Sequence, residues 1–213
     1  MHEAFSDVIR KKARSDGIMA VKCVKDFYLM TSTGKQVHIW DLRNLKSSNK
    51  NFSQPGSANQ TLMIPNANLL EADSNSIFMA CNDVLITRDS DFITKHEAEI
   101  SDKYLVNDST ITGITCKNGK VVTGTSCGMV NLWDFDKSKV FHDLPSVSDL
   151  VSYEDDMVVC CDDFGHVVVL DGNLELVGEI NNTHTGYINS LETFRGNMFT
   201  ASGDSTIKVW KPF

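Results

Sequence analysis

Val130-Asn131-Leu132-Trp133-Asp134 is a short β-branched string ending in a Trp-Asp pair, and the chain repeats it. Val37-His38-Ile39-Trp40-Asp41 and Ile207-Lys208-Val209-Trp210-Lys211 are clear copies. Weaker copies lie between them at Val84-Leu85-Ile86-Thr87-Arg88-Asp89 and Val167-Val168-Val169-Leu170-Asp171. With the tryptophan position as marker, the copies fall at 40, 88, 133, 170 and 210, in steps of 48, 45, 37 and 40 residues. An internal repeat is decisive for fold because each unit buries its apolar faces only against its neighbours.

The interior of each unit has the same plan, in which a strand-like run, a turn and a second strand-like run precede the marker. In the third unit these are Thr110 to Cys116, a turn with Asn118-Gly119, Val121 to Thr125, a Cys-Gly turn, then Met129 to Phe135. Asn-Gly is a strong hairpin signal, since both residues tolerate positive φ. The fifth unit repeats it with Tyr187 to Phe194, Arg-Gly, Asn197 to Ala201, Gly-Asp-Ser and Thr206 to Trp210. Short strands at this spacing predict an all-β chain, and the period of about 40 residues selects a β-propeller of about five four-stranded blades. The chain reads as a single domain over 1–213, with units centred on 15–65, 66–107, 108–145, 146–180 and 181–213.

The fifth unit resembles the WD-repeat family. His184-Thr185-Gly186 before Ile188 is similar to that family's histidine motif, and Thr200-Ala201-Ser202-Gly203-Asp204 followed by Trp210 to its second-to-third strand signature. The resemblance implies a buried relay running from the Trp210 indole to the Thr200 hydroxyl, on to His184 and then to Asp204. An indole N–H only donates, whereas a hydroxyl and a neutral imidazole each donate and accept, so the chain of bonds is chemically consistent. Other units depart from the motif: the third has Thr123 and Trp133 but Cys127 where the aspartate belongs, and the second is degenerate throughout.

The fifth unit leaves room for only three strands. Ala4 to Lys12, with Phe5, Asp7, Ile9 and Lys11 alternating, is expected either to close the ring as its outer strand or to form an amphipathic helix through Phe5, Val8 and Ile9. In the second case the propeller is open and a partner completes it. Residues 43–59, rich in Ser, Asn, Gly and Pro, read as a mobile loop.

Composition narrows the function. The net charge is −8, yet residues 1 to 50 carry ten Lys/Arg against five Asp/Glu, leaving the remainder strongly acidic. An acidic body argues against a general nucleic-acid binder. The basic end, with Arg10, Lys11, Lys12 and Arg14, is a candidate docking patch or import signal. Trp40-Asp41-Leu42-Arg43 resembles the Trp-Asp-x-Arg motif by which some WD-repeat receptors dock onto cullin-type ubiquitin ligases, which makes Trp40, Asp41 and Arg43 candidate partner contacts. No long apolar run or leader is present, and the six cysteines form no C-x-x-C pair, so a cytoplasmic or nuclear protein with buried, unpaired thiols is expected.

Motifs for chemistry are weak. Gly124-Thr125-Ser126-Cys127-Gly128 matches the nucleophile-elbow pattern, but that motif needs a strand-to-helix turn and here lies between two strands. Asp155-Asp156 and Asp162-Asp163 lack the spacing of a calcium loop and read as hairpin turns. The histidines are scattered and no phosphate-binding glycine loop occurs. The expected function is therefore a non-catalytic protein–protein scaffold without cofactor or metal, with a ubiquitin-ligase receptor as the alternative and a serine hydrolase using Ser126 a distant third.

Overall fold

The computed structural model describes residues 17–43, 60–89, 102–105, 109–117, 120–134, 137–141, 144–154 and 157–211. The candidate patch Arg10, Lys11, Lys12 and Arg14, the proposed closing segment Ala4 to Lys12, nearly all of the 43–59 loop, and the Asn118-Gly119 and Asp155-Asp156 turns lie outside them.

The described chain is all-β, with almost no helix and five small antiparallel sheets. The first sheet contains β1 (Ile18–Val24), β2 (Tyr28–Thr33), β3 (Val37–Asp41) and β4 (Gln60–Leu62). The second contains β5 (Ala67–Ala72), β6 (Ser76–Cys81), β7 (Val84–Asp89) and β8 (Asp102–Leu105). The third contains β9 (Ile111–Lys117), β10 (Lys120–Thr125), β11 (Val130–Asp134) and β12 (Lys137–Phe141). The fourth contains β13 (Asp149–Tyr153), β14 (Met157–Cys161), β15 (Val167–Leu170) and β16 (Leu176–Ile180). The fifth has three strands among the described residues: β17 (Ile188–Phe194), β18 (Asn197–Ser202) and β19 (Ile207–Trp210). Each sheet is a meander in chain order, consecutive strands lying side by side as sequence neighbours usually do.

Turn chemistry fixes these registers. Phe194 pairs with Asn197 across Arg195-Gly196, both of positive φ, the geometry that matches strand twist in a two-residue hairpin. Between β10 and β11, Gly128 sits at φ 85° so close to the next connection that a Cβ there would lie 1.7 Å from the Leu144 carbonyl oxygen. Only glycine fits that approach.

Successive sheets pack face against face. Met30, Val37 and Ile39 of the first meet Leu70, Ile77 and Met79 of the second. Phe78, Ala80 and Leu85 of the second then meet Val121 and Trp133 of the third. Val122, Val130 and Leu132 meet Leu150, Cys160 and Val168, and Val159, Val167 and Val169 meet Leu191 and Met198. Alternation along each strand makes this possible, because odd and even residues supply opposite faces. Each internal sheet thus has a leading face toward its predecessor and a trailing face toward its successor, with β1, β5, β9, β13 and β17 adjacent in that order.

The thiols divide. Cys81, Cys160 and Cys161 are buried as expected, and burial pushes the Cys161 thiol up to about 12. Cys116 is partly buried, and Cys23 and Cys127 are exposed, departing from the expectation of small buried hydrophobes. Cys23 lies on the leading face of the first sheet, and Cys127 in a hairpin turn.

Candidate functional site

The fifth sheet brings His184, Thr200, Asp204 and Trp210 together. The Trp210 indole N–H donates to Thr200 Oγ1 at 3.0 Å, and that hydroxyl lies 2.7 Å from His184 Nε2. His184 Nδ1 is 2.9 Å from Asp204 Oδ2. Since the indole only donates, the threonine hydroxyl accepts from it and donates to Nε2, which leaves Nδ1–H to donate to the carboxylate. The Thr206 hydroxyl donates to Asp204 Oδ1 at 2.6 Å, and the Thr206 and Thr185 backbone amides donate to the same carboxylate. These donors, the Thr206 hydroxyl first and His184 next, hold the Asp204 carboxyl far below the ordinary carboxylate range.

The relay pins a segment before β17 to the β18–β19 hairpin, with His184 and Thr200 both buried. Its imidazole faces a hydroxyl and a carboxylate, which are already satisfied, so no open position remains at the ring for a reacting group. Half of the relay recurs elsewhere: Trp133 Nε1 donates to Thr123 and Trp40 Nε1 to Thr31, each at 3.0 Å. In the third sheet Cys127 stands at the aspartate position, where Thr125 Oγ1 lies 3.3 Å from its sulfur. Hydrogen bonds from Ser109 and then Thr125 lower that thiol's pKa.

Ser126 sits in the antiparallel hairpin joining β10 to β11, and its hydroxyl lies 3.3 Å from that of Ser109. A neighbouring hydroxyl is no base, and a hairpin is not the strand-to-helix elbow. Asp162 is likewise a hairpin residue: its Oδ1 accepts the Phe164 and His166 amides at 2.8 and 2.9 Å ahead of β15. Among the described residues no group of His, Cys, Asp and Glu is arranged to hold a metal. No helix in them is long and apolar enough to cross a membrane.

Of the candidate partner contacts, Trp40 is turned onto Thr31, whereas Asp41 and Arg43 form a rigid pair. Arg43 Nη2 donates to Asp41 Oδ2 at 2.7 Å and to the Tyr28 hydroxyl at 2.8 Å, while the guanidinium lies over the rings of Phe27 and Tyr28. The Arg43 side chain remains half exposed in that frame.

Sequence reasoning missed the bonds between sheets. Asp149 Oδ2 accepts the Leu191 amide at 2.8 Å, tying β13 to β17, and burial raises its pKa. Thr112 Oγ1 donates to the Val147 carbonyl at 2.5 Å, tying the third sheet to the connection ahead of β13, and the Ser152 amide donates to Thr115 Oγ1 at 3.1 Å, tying it to the fourth sheet. The only available signal was a polar residue at an inward strand position. No protein-family model matches this chain, and none of the curated proteins does.

Proposed function

We propose that the five sheets are blades of a WD-repeat β-propeller and that the protein is a non-catalytic interaction scaffold, a subunit of a larger intracellular complex. One observation carries this reading: the groups most suggestive of chemistry are spent on holding hairpins and sheets together. His184 and Asp204 are consumed by the relay, Asp162 by two backbone amides at one oxygen and by His166 Nδ1 at 2.9 Å at the other, and Ser126 has a hydroxyl for its neighbour. What such a frame offers a partner is its surface, where function in repeat architectures resides.

A second reading, a substrate receptor of a cullin-type ubiquitin ligase, is favoured by Arg43. Its guanidinium is half exposed and pre-set by Asp41, Phe27 and Tyr28, so little side-chain entropy is lost when a partner's carboxylate or carbonyl meets it. Affinity capture of the tagged chain with mass spectrometry, on wild type and Arg43→Ala, separates the two. The scaffold reading expects the same partners with both; loss of cullin-ligase subunits with Arg43→Ala alone favours the receptor. Labelling of Ser126 by a serine-hydrolase probe would overturn both.

A further inference from the structure

Among the described residues the two ends of the stack are uncovered, and in complementary ways. On the fifth sheet the trailing face carries Phe199 opposite Val209 and Ala201 opposite Ile207. The equivalent residues of internal sheets are covered: Val169 is 6% and Leu132 8% exposed, against 59% for Val209 and 73% for Ile207. On the first sheet the leading face carries Val21 opposite Thr31, which in turn faces His38, and Cys23 opposite Leu29, which faces Trp40. In the third and fifth sheets the corresponding Trp–Thr pair lies under the preceding sheet, with Trp133 packed on the second and Trp210 on the fourth. In the first sheet nothing among the described residues precedes it, and Val21 is 57% exposed. β1 and β17 share no extended contact.

Every sheet-to-sheet contact among the described residues sets a trailing face on a leading face. The described residues therefore leave one face of each kind unused, and the surface built to receive Ile207 and Val209 is the leading face of a first sheet. We infer that the fifth sheet of one copy docks on the first sheet of a second copy, continuing the stack head to tail. A bare face three strands wide and five residues long has a footprint of about 240 Å², from spacings of about 4.8 and 3.3 Å. Reciprocal engagement of two copies covers four such faces, about 1,000 Å², which reaches the threshold for a specific association. The contact is heterologous, using different surfaces on the two partners.

The inference rests on the stacked-sheet reading above and not on whether that scaffold recruits other proteins. Light scattering on the full chain across a concentration series should give a dimer or a higher multiple. Val209→Glu and Val21→Glu each place a carboxylate on one face only, in exposed positions that leave the folded core intact. Each alone should be monomeric with an unchanged melt, its association weakened at least roughly tenfold by the cost of burying an unpaired charge. Mixed one to one, they should pair through the single contact left intact, more weakly than wild type, in a species that stops at two copies, since each retains the face the other lacks. Deleting residues 1 to 16 should leave association intact. A monomeric wild type overturns the inference, and if the deletion then associates, that segment covers the faces in cis. A Val21→Glu protein that still dimerises also overturns it, because that is the mark of a fifth-sheet-to-fifth-sheet contact. A one-to-one mixture whose mass at the top of the concentration series does not exceed that of either variant alone does so equally. Serine-probe labelling would defeat the scaffold reading while leaving these masses unchanged, so the two failures are distinguishable.

Discussion

Thr200→Val removes the hinge of the relay while keeping its volume. The hydroxyl accepts the Trp210 indole at 3.0 Å and meets His184 Nε2 at 2.7 Å, in a position with no exposed surface. Valine leaves both groups without their partner. A buried polar atom stripped of its bond costs about 1–3 kcal/mol. His184 is buried and incurs the upper part of that range, whereas the half-buried Trp210 finds some water and incurs the lower. The expected loss is about 3 kcal/mol, a large share of a total of about 5–15. At about 2–4 °C per kcal/mol for a chain of this length, the melting midpoint should fall by about 6–12 °C. Thr123→Val is the internal control. Thr123 is equally buried and also receives an indole at 3.0 Å, from Trp133. No histidine bond to its hydroxyl accompanies that contact, so the loss there should be about 1 kcal/mol, roughly a third as large. Thermal and urea denaturation of both variants decides the matter. An unchanged midpoint for Thr200→Val, or a loss no greater than that of Thr123→Val, would refute the assignment of Thr200 as a two-sided link.

Asp204→Asn should be less stable than wild type at pH 7. The folded carboxyl is held below its unfolded value, so its contribution is complete above about pH 4, the unfolded pKa, and fades as acid approaches the folded pKa; melts from pH 7 to 2.5 should show the gap to wild type shrinking only below about pH 4. Gly128→Ala must both hold an L side chain at φ 85° and displace the Leu144 carbonyl, and should cost more than about 2 kcal/mol by urea denaturation. Gly178→Ala, where nothing lies within 4 Å of the added methyl, is its control and should change stability by less than about 1 kcal/mol.

The five-unit division was legible in the sequence because a meander is a local object. Strand, turn and strand follow one another within about 40 residues, so β-branched alternation and turn residues such as Arg195-Gly196 mark each sheet without reference to any other. The relay was legible for the same reason, since residues 184 to 210 form one unit and its motif needs no partner from elsewhere. The second unit was harder to read because Arg88 replaces the tryptophan; Ile77, Met79 and Ile86 nonetheless bury against the first sheet, and packing there did not need the motif. Contacts between sheets were not legible. Asp149 and Leu191 lie 42 residues apart, and only the packing of β13 beside β17 turns an ordinary aspartate into a buried link. Val169 and Val209 are alike in sequence pattern, yet one is covered by the next sheet and the other faces outward. A strand's alternation determines that it has two faces; which of them meets another sheet is set by what stands beside it, and that is decided only when the whole chain is assembled.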